Sequence, residues 1–503
     1  MAELPYAAAT AAPNGVHPEH PESSANPLSR RFFLAGAAAT TVLAATAVAA
    51  PAAVAATAQV ARTTVDPVLG GGASARGNTG SIDRAQAFLR AMTDAYPAVN
   101  PGPRLPQSYA DELGLFSTAF VYDVALAICA SLTGGRRTLD LARTMGDGLV
   151  YAMEHDPVYD DGRLRQGYNV GPYTFYDGNP QRYGFVLPDK TANIGWQFGF
   201  LGTAVGDMAW PGIALVQLYQ RTRDQTYLRA ATRIGDWILD NAVSPGALGG
   251  FRLGVNGADQ PIANVSTEHN IDCVSFFGQL NRAAGNRRWR EAVRTARGFV
   301  DRVWSEQGGF FYTGSNDGNT INPVPLPLDP QTWSWLALRE RKYAPALEWA
   351  GSALSVTDDS TAPHTQVPPG LMVSGVSFSS TSKTSTASYN GLQVNQRGVW
   401  LEGTAQLATS LADRKNRGDA ARSAELLRQV GIAQDSLGFG TAPGTPQHVG
   451  GAPLTDRGGV VAASSPIDSG FGFGYFRAQH VGATSWFLMA AAGANPLQYG
   501  KLS

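Results

Sequence analysis

The chain has 503 residues, 44% of them apolar, which is room for one large domain or two ordinary ones and for a substantial core. The formal net charge of -1 comes from Glu3, Glu19 and Glu22 against Arg30 and Arg31, so residues 59–503 are neutral. A neutral body without a basic run excludes nucleic acid and anionic membrane surfaces and fits an uncharged substrate; two cysteines, Cys129 and Cys273, are too few for a disulfide framework and read as buried free thiols.

The first feature in chain order is Ser29-Arg30-Arg31-Phe32-Phe33-Leu34, followed by an alanine-rich apolar run toward Ala50 and by Ala56-Thr57-Ala58. A polar leader, paired arginines, a moderately apolar stretch and an A-x-A site together resemble a twin-arginine signal peptide over residues 1–58. The resemblance implies export in the folded state by the twin-arginine machinery, a secreted or cell-envelope location, and no membrane association after cleavage. An uncleaved anchor is the alternative, because the apolar run is nearly long enough to span a bilayer. Its Ala and Thr content favours cleavage. Residues 59–80, with Gly70-Gly71-Gly72, read as a flexible linker, and the folded domain is expected over 81–503.

Helical periodicity dominates from there on. Helices are expected near 82–96, 115–133, 137–154, 208–222, 225–243, 267–285, 287–306, 330–340, 343–357, 398–414, 418–436 and 479–493. They fall into pairs joined by short turns such as Thr222-Arg223-Asp224 and Gly285-Asn286, which force antiparallel neighbours. A similar phrase follows several second helices: Leu248-Gly249-Gly250-Phe251, Gln307-Gly308-Gly309-Phe310 and Leu437-Gly438-Phe439-Gly440. Such recurrence marks stacked hairpin units. First members are apolar all round and second members are striped with charge, so the first should lie inside and the second outside.

This pattern over residues 82–495 resembles the six-hairpin glycosidase superfamily. The resemblance implies an all-α fold, an (α/α)6 toroid of about twelve helices with long aromatic and Gly-rich loops. An open α-solenoid is the alternative architecture. Insertions 155–206, with Tyr168, Tyr173, Tyr176, Tyr183 and Trp196, and 358–397 read as a substrate wall and a strand-containing lid.

In such a ring the inner helices point their N-termini to one end. The phrases there are Tyr122-Asp123, Asp207-Met208-Ala209-Trp210, Thr267-Glu268-His269-Asn270-Ile271-Asp272, Asp329-Pro330-Gln331-Thr332-Trp333, Trp400-Leu401-Glu402-Gly403 and His480 with Trp486. Carboxyl groups on separate inner helices can face one another, and opposed carboxyls are what glycosidic cleavage needs. Glu402 sits one turn into an apolar helix start where capping does not explain it, so it is the first catalytic candidate. Glu268 or Asp329 is the second. Each has a bland alternative: Glu268 as a partner to the helix dipole behind Ser266, Asp329 as a cap before Pro330. Asp207 reads as a cap.

The expected sugar-binding set is Tyr122, Asp123, His269, Asn270, Asp272, Gln331 and His480, with Trp210, Trp333, Trp400 and Trp486 as stacking faces. Asp123 alternatively pairs with a buried arginine. Phrases of this kind are similar to those of bacterial toroid proteins of that superfamily. The function implied is an exported glycoside hydrolase acting on a poly- or oligosaccharide by carboxyl acid/base chemistry. A polysaccharide lyase using Tyr122, His269 or His480, a toroid-type epimerase using His269 and His480, and a non-catalytic glycan-binding protein are the alternatives. No cofactor motif and no metal-ligand spacing is evident, although Asn316-Asp317-Gly318-Asn319 has the composition of a calcium loop.

Overall fold

The structure, a computed structural model, describes residues 74–110, 117–174, 180–195, 201–438, 447–450, 452–454 and 458–502. The expected signal peptide, the expected linker as far as residue 73, Tyr176, Trp196 and the phrase ending Phe439-Gly440 lie outside the described residues.

Twelve α-helices occur among the described residues: α1 Ser74–Thr93, α2 Val121–Thr133, α3 Leu139–Glu154, α4 Val205–Thr222, α5 Gln225–Asn241, α6 Thr267–Ala284, α7 Arg287–Arg302, α8 Asp329–Leu338, α9 Pro345–Ala353, α10 Leu401–Arg414, α11 Asp419–Leu437 and α12 Val481–Ala491. Local chemistry sets their ends. Asp224 and Asn286 accept from the N–H groups of Thr226 and Arg288 and start the outer helices α5 and α7. Left-handed residues Arg223, Gly285, Arg339 and Lys415 stop α4, α6, α8 and α10, so each inner helix turns tightly into its outer partner.

Helices α2, α4, α6, α8, α10 and α12 each pack against the next, and α12 packs on α2. The ring therefore closes, which rules out the solenoid. Each inner helix is backed by the helix that follows it, and α12 is backed by α1, so the first and last helices form the sixth pair. The molecule is the expected (α/α)6 toroid. Inner helices bury nearly every residue, as the all-round apolar faces require, whereas α5 and α7 bury one stripe. Close approach depends on small residues. At Gly212 an added Cβ would stand 2.3 Å from the Phe276 ring, so α4 and α6 meet only because glycine is there.

Three expected boundaries move. α1 begins at Ser74, inside the segment read as linker, just after the triple glycine ends at Gly72, and it runs through Gly77 and Gly80. Thr118–Phe120 is a strand paired with Gly167–Asn169, and the end of the expected helix near 306 is a strand at Trp304–Ser305 paired with Phe310–Phe311. Short antiparallel pairs of this kind, including Gly314–Ser315 between Val265–Ser266 and Ile321–Asn322, rim the end where the inner helices start. The insertion after α9 does contain strands, Ser355–Asp359 against Met372–Val376 and Ser388–Tyr389 against Leu392–Gln393. Cys129 and Cys273 are buried and free. No described helix is long and apolar enough to cross a membrane.

Candidate active site

The N-termini of the six inner helices bring one acidic or histidine-bearing phrase each to a common end. Glu402 is the best connected. Its Oε1 accepts from the Tyr122 hydroxyl at 2.7 Å and, more weakly, from the Gln406 amide at 3.4 Å; its Oε2 lies 3.6 Å from His480 Nδ1. His480 opens α12, where its Nδ1 accepts from the Ala483 N–H at 3.3 Å. That leaves Nε2 to carry the proton toward Asp123 Oδ1 at 3.0 Å. The Tyr109 ring stacks on His480, with centroids 4.1 Å apart and planes 9° from parallel. The Trp486 indole donates to Tyr122 Oη at 3.3 Å. Gly482 lies in the middle: an added Cβ would stand 2.6 Å from Asp123 Oδ1, 2.7 Å from His480 Cε1 and 2.8 Å from Glu402 Oε2.

Across the ring stand Asp207, Glu268, Asp272 and Asp329. Asp207 accepts from the Gln166 amide at 3.1 Å. Both oxygens of Asp272, Oδ1 of Asp329 and Nδ1 of His269 are buried without a partner. Asp207, Glu268, Tyr109, Tyr122 and Tyr475 are half-buried and form the open side, while Asp123, Asp272, Asp329 and Glu402 lie beneath.

These positions set the electrostatics. Burial first, then the Asp123 charge, push Glu402 up to about 7, with His480, Tyr122 and Gln406 opposing. Asp207 is likewise pushed up to about 7, by burial and then by Asp123. Glu268 is held well above the carboxylate range by burial and then by Asp329, Asp272, Asp207 and Glu402. Asp272 rises for the same reasons, burial before Asp329 and Asp207, and Asp329 through burial and Glu402. Burial pushes His269 down to about 4, so it is neutral. His480 moves the other way: burial disfavours its charge, but Asp123 and Glu402 outweigh that and raise it. Carboxyl groups on five helices thus share one field, and protonated and ionised forms coexist near neutral pH.

Ser266 caps α6 and leaves Glu268 in the first turn, so the dipole-partner role stands beside the catalytic one; α8 has no side-chain cap at its N-terminus, and α4 none either, so Asp329 and Asp207 are not caps. Asp123 is paired with His480 rather than an arginine.

Other expectations need correcting. Asn270 and Gln331 do not face a ligand. Asn270 accepts from the Phe251 N–H at 2.8 Å and donates to Phe251 O at 2.9 Å and Ser266 O at 2.8 Å. Gln331 treats Phe311 the same way, at 2.8 and 2.9 Å, and reaches Pro327 O at 3.0 Å. Each amide clamps the loop that enters from the previous hairpin. Trp210, Trp333 and Trp486 are almost fully buried and pack on one another beneath Tyr122, with Trp210 and Trp333 centroids 5.2 Å apart. Trp400 is covered by Phe378 and Tyr475. Their faces serve one another, so they build the floor and wall instead of offering stacking surfaces. The Asn316–Asn319 loop satisfies itself: Asp317 Oδ1 accepts from the N–H groups of Asn319 and Thr320, both at 2.8 Å.

The residues missed are Tyr109, Tyr475, Gln406 and Gly482. Gln406 was visible one helical turn after Glu402, and Tyr475 in the aromatic alternation Phe471, Phe473, Tyr475 before the last inner helix. Tyr109 lies in an aperiodic loop and gave no signal.

No protein-family profile and no curated protein sequence matches the chain. Solved structures do. A cellobiose 2-epimerase from Bacillus thermoamylovorans B4167 is 11% identical with a TM-score of 0.51, the match covering 82% of this chain and 99% of that one. A D-mannose isomerase is 11% identical with a TM-score of 0.51, over 83% and 96% of the two chains. A family 76 glycoside hydrolase (mannosidase) from Bacteroides thetaiotaomicron VPI-5482 is 11% identical with a TM-score of 0.50, over 82% and 98%. At these identities the likeness shows the fold, and it spans nearly the whole length of each of those proteins: this chain is built as the same closed double ring of helices.

Proposed function

We propose that the chain is an exported glycoside hydrolase that cleaves a poly- or oligosaccharide at the N-terminal end of the inner helices, with Glu402 as one catalytic carboxyl and Glu268 or Asp329 as the other. The observation that carries this reading is the set of facing carboxyl groups on α6, α8 and α10, which share one electrostatic field and include one, Glu402, raised to about 7. A carboxyl near pH 7 can be protonated when it donates to a leaving oxygen, while an ionised neighbour activates water or attacks the anomeric carbon. That solved toroids of this shape include a mannosidase supports a saccharide as the ligand.

The alternatives are weaker on the same geometry. The epimerase reading needs a pair of free histidine bases; His269 is neutral with Nδ1 unpartnered, but His480 has one nitrogen on the Ala483 N–H, the other on Asp123, and one face under Tyr109, so only one of the two is free. The lyase reading needs cations to neutralise a uronate, and among the described residues no Lys or Arg is ion-paired with Glu268, Asp272, Asp329 or Glu402.

The test is release of reducing ends from a glycan panel by the mature protein beside Glu402→Gln and Glu268→Gln. Activity in the wild type and a loss of at least 100-fold in one variant is the expected result, within the roughly 10²–10⁴-fold that acid/base groups contribute. Undiminished activity in both variants would sink the assignment, and a protein that binds glycans without cleaving them would be the non-catalytic alternative.

A further inference from the structure

Among the described residues, buried carboxylates outside the ring end are all satisfied. Asp156 pairs with Arg165 at 2.5 Å and Asp419 with Arg414 at 2.7 Å. Asp358 accepts from Thr365, Asn395, Ser464 and Ser465, all within 2.8 Å. The ring end breaks this pattern. Asp123, Asp207, Glu268, Asp272, Asp329 and Glu402 meet there with a single basic side chain ion-paired among them, His480, which is committed to Asp123 and Glu402. On the far side, Asp272, with no exposed surface, has neither oxygen in a hydrogen bond of good geometry, the Trp210 indole standing only close enough to pull its pKa down slightly, and Asp329, 4% exposed, leaves one oxygen unbonded beside the Gln406 amide. An ionised carboxyl with neither donor nor counter-charge is expensive, so these groups stay protonated until a ligand that supplies both completes the site. The whole chain's near-zero charge hides this local excess.

Hydroxyl groups of a neutral sugar would supply donors to these oxygens but no charge. A protonated amine supplies both, with three donors on one point charge. Asp207 and Glu268 are half-buried, as are Tyr109, Tyr122 and Tyr475 beside them, so this side of the cluster reaches solvent. We infer that the site takes an amino sugar, a hexosamine unit with a free protonated amine held among Asp207, Glu268 and Asp329 over Asp272. The inference rests on the hydrolase reading and names its substrate class. The upward shift of Glu268, Asp272 and Asp329, to which burial contributes first and their mutual repulsion next, is consistent with a place prepared for a cation.

The experiment compares D-glucosamine, D-glucose and N-acetyl-D-glucosamine binding to the mature protein by calorimetry at pH 6.5 and low salt. The same preparation is assayed for cleavage of a de-N-acetylated glucosamine polymer, its acetylated parent and neutral glycans. Glucosamine is expected to bind at least tenfold tighter than either neutral sugar, Glu268→Gln and Asp207→Asn to erase most of that preference, and the de-N-acetylated polymer to be the one cleaved. Equal or weaker glucosamine binding, or no binding of any of the three, overturns the inference. Cleavage of neutral glycans alone overturns it and leaves the hydrolase reading standing. Selective glucosamine binding with no cleavage of any polymer does the reverse.

Discussion

Glu402 shows how a single carboxyl is tuned. Burial lifts it, and the Tyr122 hydroxyl pulls it back by donating to Oε1. Such a bond stabilises the ionised form, so Tyr122→Phe should raise the apparent value above 7 by about one unit, since an interaction of about 1.4 kcal/mol is one unit. If Glu402 is the proton donor, activity falls as pH rises through its pKa, and the alkaline limb of the kcat profile should move upward in the variant. A limb that stays put or moves down would remove Glu402 from that role. Gly482 is a sharper probe. A Cβ added there would fall in the gap between Asp123, His480 and Glu402, so Gly482→Ala must push at least one of them away. We expect lost activity with the helical circular-dichroism spectrum intact and a stability cost of about 1–3 kcal/mol, typical of overpacking. Wild-type activity in this variant would mean that the three groups have no fixed arrangement. The Glu402 candidacy was legible in the sequence because a carboxyl inside an apolar helix start has no capping role. Gly482 was not, since nothing local in His480-Val481-Gly482 says what stands opposite.

At the scale of elements, the inner helix starts were readable and the use of their polar residues was not. Asn270 and Gln331 look like ligand-binding amides in sequence, each within a turn of a candidate carboxyl. In three dimensions both are spent on the backbone of an incoming loop, at Phe251 and Phe311. The Gly-Gly-Phe recurrence therefore has a physical partner at its two fully described instances: one amide on the next inner helix closes the loop. Removing it orphans a buried N–H and a buried carbonyl, so Asn270→Ala and Gln331→Ala should each cost about 1–3 kcal/mol in denaturant unfolding. Loss of activity without loss of stability would instead restore them as ligand contacts. The tryptophans misled for a related reason. A ring with an apolar inside must fill its axis, and Trp210, Trp333 and Trp486 do so by packing edge to face and in parallel. Spacing from a carboxyl cannot tell a floor from a platform; only the closure of the ring does.

For the whole molecule, helix count, alternation of apolar and striped helices, and short left-handed turns were enough to give the closed toroid, because each follows from local pattern. The charge distribution was not legible, because net charge sums over groups that the fold separates. It has a consequence for stability. Glu268, Asp272, Asp329, Asp207 and Glu402 have folded values above the unfolded carboxylate range near 4, so the folded chain holds more protons, and their contribution is lost as pH rises toward and through about 7. His269 acts oppositely: its folded value near 4 lies below the unfolded 6.5, so it favours the fold as pH rises between those values and is silent above them. Above pH 6.5 the raised His480 acts in the same direction as the acids, since its folded value also lies above the unfolded 6.5. The melting temperature should fall from pH 6.5 to 8.5, and Asp272→Asn, which keeps the shape and cannot ionise, should flatten that fall. A melting temperature independent of pH, or a steeper fall in Asp272→Asn, would contradict the assignment of buried, unpartnered charge.

The most direct test of the central claim, that the inner-helix N-termini form a saccharide-cleaving centre, is a crystal structure of Glu402→Gln soaked with an oligosaccharide that the wild type cleaves. The account predicts a sugar ring lying over Tyr122 with a glycosidic oxygen about 3 Å from position 402 or from a carboxyl of Glu268 or Asp329, a reach set by proton transfer. Sugar lodged only elsewhere, for example in the separate cavity of about 500 Å³ lined by Tyr151, Arg182, Tyr183 and Lys190, with the carboxyl ring empty, would contradict it.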